Sequence, residues 1–227
     1  MGYFKKLGIF VKAPEEGAVK TRLVPPLSER QARDLYRAFI EDLFRRIQKL
    51  KKCSVTAFYS GESPDTIEEM LPKGWKRAAQ RGSTLGERLQ HAFEVLLADE
   101  GSSAVIIGSD SPDIPLLAIK RAYNKLKHKD VVLGPSTDGG YYLIGLKKQI
   151  PALFEDVPWG EDSVLRRTLE IVASRNKSLS LLPLWYDVDT PRSLELLQTL
   201  MLGKRIERSG RLHCTEAVLS NFHDDKP

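Results

Sequence analysis

The sequence predicts a three-layer α/β fold, and two observations carry that expectation. Short apolar runs alternate along the chain with longer segments whose apolar residues recur at helical spacing. Polar elbows bearing carboxylates, cations and glycines follow the apolar runs, at Lys12 to Arg22, Asp110, Asp138 and Asp187. In an open α/β sheet, ligands collect outside the carboxyl ends of strands, so these elbows are where chemistry is expected.

Leu7–Val11 reads as the first strand and runs into a loop holding Pro14, Gly17, Lys12, Lys20 and Arg22. Such a loop is a natural place to hold phosphates, although its spacing fits neither a Walker loop nor a dinucleotide fingerprint. Ser28 and Gln31 form a capping box ahead of a helix whose stripe is Leu35, Phe39, Ile40, Leu43, Ile47 and Leu50. A strand at Val55–Tyr59, a short helix near Pro64–Leu71 and a short strand at Trp75–Ala79 follow. Thr84 and Glu87 form a second capping box, and Leu85, Leu89, Phe93 and Leu96 are expected on the buried face of that helix. The Gly82–Gly86 lead into it either offers amides to an anion or serves turn geometry alone.

Val105–Gly108 is the next strand, ending in Ser109-Asp110-Ser111-Pro112-Asp113. Two carboxylates on a stiff turn suit a hard cation such as Mg²⁺, and either aspartate can instead cap the helix expected from Pro115 to Lys127. Asp130–Gly134 and Tyr141–Leu146 are apolar runs joined by Pro135–Gly140, where Asp138-Gly139-Gly140 reads as a hairpin turn or as backbone close to a ligand. A helix over 162–174, a strand at Leu179–Leu184 and a helix capped by Thr190 with Pro191 at its first position complete the pattern. Trp159, just before the first of these helices, is expected to pack. Asp187 and Asp189 alternate by two and so point to one side of an extended segment; paired there they repel unless a cation lies between them.

At 227 residues the chain can bury one full core, and residues 1–202 are expected to form one domain, with 203–227 as a peripheral tail lacking strong periodicity. The formal charge of +5 is spread among interleaved acids and bases, which argues against a nucleic-acid partner. No apolar span is long enough to cross a bilayer, and residues 1–11 lack the features of a signal peptide. Cys53 and Cys214 suggest neither a disulfide framework nor a zinc site, so a cytoplasmic location is expected.

Several segments together resemble the bacterial rSAM/selenodomain-associated transferase family. They are Phe10–Pro14, Val19–Leu23, Leu85–Arg88, Gly108–Asp113, Gly134-Pro135 with Asp138–Leu146, Pro158-Trp159 and Asp187–Pro191, in consistent order between about Leu7 and Leu197. The resemblance implies a GT-A nucleotide-diphospho-sugar transferase fold with a mostly parallel central sheet, and kinship with phospholactate and molybdenum-cofactor guanylyltransferases. It implies Mg²⁺, with Mn²⁺ as an alternative, on Asp110, and a second metal or the acceptor at Asp187 and Asp189. Lys20 and Arg22 would hold the donor's phosphates. Val11, Lys12, Ala13, Gly82, Leu85 and Gly86 would line the nucleotide, and Asp138, Gly139 and Gly140 the acceptor. The first loop departs from the Gly-rich signature of the molybdenum-cofactor enzyme, and Gly160 stands where Ser or Thr is expected as a helix cap. The function expected is nucleotidyl transfer from an NTP to a small anionic acceptor. Glycosyl transfer from an NDP-sugar and non-catalytic nucleotide binding are the alternatives.

Overall fold

The structure is a computed structural model in which residues 4–61, 64–206 and 210–224 are described. Seven strands make one sheet: β1 (Phe4–Lys12), β2 (Cys53–Ser60), β3 (Lys76–Ala79), β4 (Ser102–Gly108), β5 (Val131–Pro135), β6 (Tyr141–Leu146) and β7 (Leu179–Leu181). Their spatial order is β3-β2-β1-β4-β6-β5-β7, and only β6 runs antiparallel to its neighbours. The chain moves outward from β1 to β3 and then returns to lay β4 on the other side of β1. That reversal opens a crevice between the carboxyl ends of β1 and β4.

Alternation along the strands builds two cores. Leu7, Ile9, Val11, Val105 and Ile107 face one side, and Phe10, Ala104 and Ile106 the other. The first side is covered by α1 (Glu29–Ile47), α2 (Pro64–Met70), α4 (Leu116–Leu126), α6 (Pro191–Ile206) and α7 (His213–Asp224). The second is covered by α3 (Leu85–Leu96) and α5 (Val164–Ser174). Gly8 lets α3 close on β1, because a Cβ there would lie 3.0 Å from a methyl carbon of Leu96.

Both expected capping boxes form, at Ser28/Gln31 and Thr84/Glu87; each cap contributes about 1 kcal/mol. Thr190 Oγ1 accepts from Ser193 N at 3.3 Å at the start of α6. Four local expectations are corrected. Leu85 is 43% exposed, since it opens α3 on the side away from the sheet. The last strand stops at Leu181, just ahead of Pro183, which has no amide hydrogen to continue a ladder. Gly160 caps nothing: it turns the chain at φ +92°, and Ser163 is the residue flanking α5. The segment beyond Gly203 carries α7, which packs on α1. There the buried Asp42 accepts from Cys214 N (3.1 Å), Thr215 N (2.8 Å) and Thr215 Oγ1 (2.8 Å). A carboxylate borrowed from another helix thus satisfies amides that α7 cannot pair internally.

Candidate active site

The loops following β1, β2, β3, β4, β5 and β7 all open at one edge of the sheet, and this edge gathers most of the residues singled out from the sequence. Lys20 is the centre of it. Its backbone adopts a left-handed conformation, φ 50° and ψ 34°, at the head of a short 3₁₀ turn, Thr21–Leu23. Residues with a Cβ take that conformation only at a cost, which neighbouring structure must offset. The turn sends the Lys20 side chain inward beneath the elbow. Its ammonium donates to Asp110 Oδ1 at 2.5 Å and to Asp189 Oδ1 at 2.7 Å.

The Lys20 side chain is only 2% exposed, while those of Asp110 and Asp189 are 43% and 37% exposed. The cation is therefore sealed under two carboxylates that reach solvent. Burial works against the charged ammonium, but Asp110 and Asp189 outweigh it and hold the lysine above its ordinary value. The rings of Tyr36 and Phe39 face the same ammonium, with centroids 5.5 Å and 5.6 Å away. Tyr36 also ties the elbows together: its hydroxyl accepts from Lys12 N at 3.0 Å and shares a 2.7 Å bond with Ser109 Oγ. Burial pushes the Tyr36 phenol up to about 12.

Asp187 and Asp189 part company. Val188 N donates to Asp110 O at 2.9 Å, which stitches the segment to the β4 elbow and leaves Asp189 beside Asp110. Asp187 turns to two hydroxyls, accepting at Oδ1 from Ser111 Oγ (2.7 Å) and at Oδ2 from Ser136 Oγ (2.6 Å). Burial raises its carboxyl above the usual range, those serine bonds pull it back, and Asp110 and Asp138 push it up. Lys20 thus bridges Asp110 and Asp189, while Asp187 is held by Ser111 and Ser136. Among the described residues, no group of three or more His, Cys, Asp or Glu is arranged around a common point.

Asp113 corrects another expectation. It caps no helix, since α4 is preceded by Pro115 without a side-chain cap. Its buried Oδ2 accepts from Tyr186 OH and from Lys204 Nζ, each at 3.0 Å, joining the elbow to α6 and to the residue before Asp187.

Around this centre, Arg22 is exposed, and Lys12 donates to Ala18 O at 2.7 Å. Val11 and Ala13 are buried in the floor. Gly82 (φ +125°) lies exposed on the β3–α3 connection, and Gly86 is buried in the first turn of α3. A Cβ on Gly86 would lie 2.4 Å from Phe154 O and 2.5 Å from Trp159 Nε1, so this glycine is where Trp159 docks on α3. Asp138, Gly139 and Gly140 form the β5–β6 hairpin, in which Asp138 Oδ1 accepts from Gly140 N at 3.0 Å. Gly139 (φ +89°) approaches the chain itself, since its Cβ would meet Asp162 O at 2.0 Å. Sequence reasoning missed Tyr36, Ser109, Ser111 and Ser136. The two serines flanking Asp110 were visible as a Ser-Asp-Ser run, whereas Tyr36 lies unmarked within a core stripe.

Residues 43–161 match the family described as uncharacterized proteins conserved in bacteria (DUF2064). The chain belongs to this family. A solved structure from Desulfovibrio desulfuricans G20, provisionally named a nucleotide-diphospho-sugar transferase, is 35% identical, with a TM-score of 0.86 over 96% of this chain and 94% of that one. Two more distant structures share the fold. One is CMP:2-keto-3-deoxy-manno-octonic acid synthetase complexed with CTP, at 11% identity and a TM-score of 0.57 over 88% of this chain and 99% of that one. The other is Rv0371c of Mycobacterium tuberculosis H37Rv complexed with manganese, at 13% identity and a TM-score of 0.51 over 85% of this chain and 97% of that one. No curated protein matches the sequence. The fold is that of the nucleotide-diphospho-sugar transferases.

Proposed function

We propose that this protein is a divalent-metal-dependent transferase that moves a nucleotidyl group from an NTP to a small anionic acceptor. The observation that carries the reading is the convergence of Asp110 and Asp189 on one cation at the sheet's switch point. Two carboxylates with solvent access fit Mg²⁺ or Mn²⁺, which are usually held by one or two carboxylates together with substrate phosphates and water. Bound there, the metal would supply charge neutralisation on the donor's phosphates.

The chain's own residues do the rest. Lys20 and Arg22 attract and orient the phosphates, and Tyr36 and Ser109 hold the floor beneath them. Ser111 and Ser136 fix Asp187, which sets the path of the strand-like segment carrying Asp189. An acceptor oxygen then attacks the α-phosphorus in line, one P–O bond forms, and pyrophosphate leaves with the bond that breaks. Positioning and electrostatic stabilisation supply the rate, and no protein nucleophile is required. The CTP and manganese in the two distant neighbours' names support this class of donor and metal.

The name of the 35% identical relative favours a second reading, in which an acceptor hydroxyl attacks the sugar of an NDP-sugar over the same phosphate site. Membership among the rSAM/selenodomain-associated transferases, a cytoplasmic location and the absence of a nucleic-acid partner belong to this proposal too. Among the described residues, no helix is long and apolar enough to cross a membrane. A thermal-shift screen of the four NTPs and of UDP- and GDP-sugars, with and without Mg²⁺ or Mn²⁺, tests the reading. An NTP that raises Tm only with metal, and not in Asp110→Ala, is the expected result. A shift restricted to NDP-sugars selects the second reading, and no shift with any of them refutes both.

A further inference from the structure

The Lys20 ammonium occupies the point on which both acidic side chains converge, 2.5 Å from Asp110 and 2.7 Å from Asp189. A divalent cation shared by the same two oxygens would sit at about 2.1 Å from each, next to the ammonium. The ammonium and the metal compete for the same two oxygens, and side by side their positive charges repel. Lys20 lies on the β1–α1 connection two residues before Arg22, whose side chain is exposed.

We infer that Lys20 is an internal counter-cation that masks the Asp110–Asp189 pair until it is exchanged for a divalent metal, releasing its ammonium to the donor's phosphates. The inference rests on the proposed metal reading and adds an order of events to it. Three features of the site support the exchange. The left-handed backbone at Lys20 holds the side chain inward against local preference, so an alternative placement of the loop relieves that cost. The carboxylates, not the lysine, face solvent, so a metal approaches without crossing the ammonium. The Tyr36 and Phe39 faces that flank the ammonium stabilise a cation without giving it a further charged anchor. A site whose competent form is only a fraction of the population binds its ligand more weakly by that fraction. Weak binding of metal alone, strengthened when phosphates draw Lys20 away, is the consequence.

The test is direct Mn²⁺ titration followed by the loss of free-Mn²⁺ EPR signal, without nucleotide and without any turnover. Five proteins are compared: wild type, Asp110→Asn, Lys20→Met, Lys20→Arg, and Lys20→Met combined with Asp110→Asn. Lys20→Met should bind Mn²⁺ at least about tenfold more tightly than wild type, equivalent to about 1.4 kcal/mol. Lys20→Arg keeps a cation and should stay near wild type, and the double variant should lose the gain. Equal or weaker binding by Lys20→Met, with wild-type binding still dependent on Asp110, overturns the exchange and leaves the metal site standing. The same tightening in Lys20→Arg also overturns it, because the charge would then not be the competitor. Binding that ignores Asp110→Asn, or none in any chain, overturns the metal site itself. Circular dichroism melts accompany each variant, and Lys20→Gln reads the same quantity if the methionine chain does not fold.

Discussion

Replacing Asp113 by alanine separates a buried network from a simple helix cap. The Asp113 side chain is fully buried, and its Oδ2 is the acceptor for both the Tyr186 hydroxyl and the Lys204 ammonium. Without it, the Tyr186 hydroxyl loses its partner in the interior, which costs roughly 1–3 kcal/mol. Lys204 is 24% exposed and can swing toward water, so its share is discounted to about 1 kcal/mol. The expected loss is therefore about 2–4 kcal/mol, centred below the ~3–5 kcal/mol that stripping one member from a fully buried ion pair can cost. For a chain of this size each kcal/mol lowers Tm by about 2–4 °C, so a fall of roughly 4–16 °C is expected. Urea unfolding followed by tryptophan fluorescence gives the free energy, and calorimetry the Tm. Asp113→Asn, which keeps an acceptor for Tyr186, should lose about half as much. A loss at or below the ~1 kcal/mol of a helix cap would refute the argument.

Two further outcomes are open to simple measurement. Gly86→Ala forces a methyl group against Phe154 O and Trp159 Nε1, and should cost about 1–3 kcal/mol while changing Trp159 fluorescence; an unshifted spectrum with full stability would show that α3 and Trp159 do not meet there. Asp130 accepts from Ser178 Oγ (2.7 Å) and Ser178 N (3.0 Å), and these bonds lower its carboxyl to about 2. Because its folded value lies below the unfolded one of ~3.9, its stabilisation is present above about pH 4 and is lost as pH falls toward 2. Asp130→Asn should flatten that acid limb, and a stability profile unchanged between pH 4 and 2 would count against the assignment.

The elements were largely legible because local rules decide them. The capping boxes at Ser28 and Thr84, the period-two strands and the helical stripe of α1 all appear where the pattern places them. The misplacements fall where distant parts meet. Asp113 looked like a cap because Pro115 and a helix follow it, yet its partners are 73 and 91 residues away. The protein partners of Asp187 and Asp189 were equally out of view: Ser111 and Ser136 bond the first and Lys20 the second. The tail looked peripheral because α7 has few strongly apolar positions, and the Asp42 carboxylate that anchors it belongs to α1.

The Asp110 elbow shows where the division lies. By itself the sequence determined the α/β alternation, the edge of the sheet at which polar loops gather, and the residue types available there, since periodicity and turn chemistry act over a few residues. Only the tertiary structure decided that Lys20, Asp110 and Asp189 share one point while Asp187 does not. Hydrogen bonds and ion pairs across 90 and 169 residues depend on strand order and loop path, which no local pattern encodes.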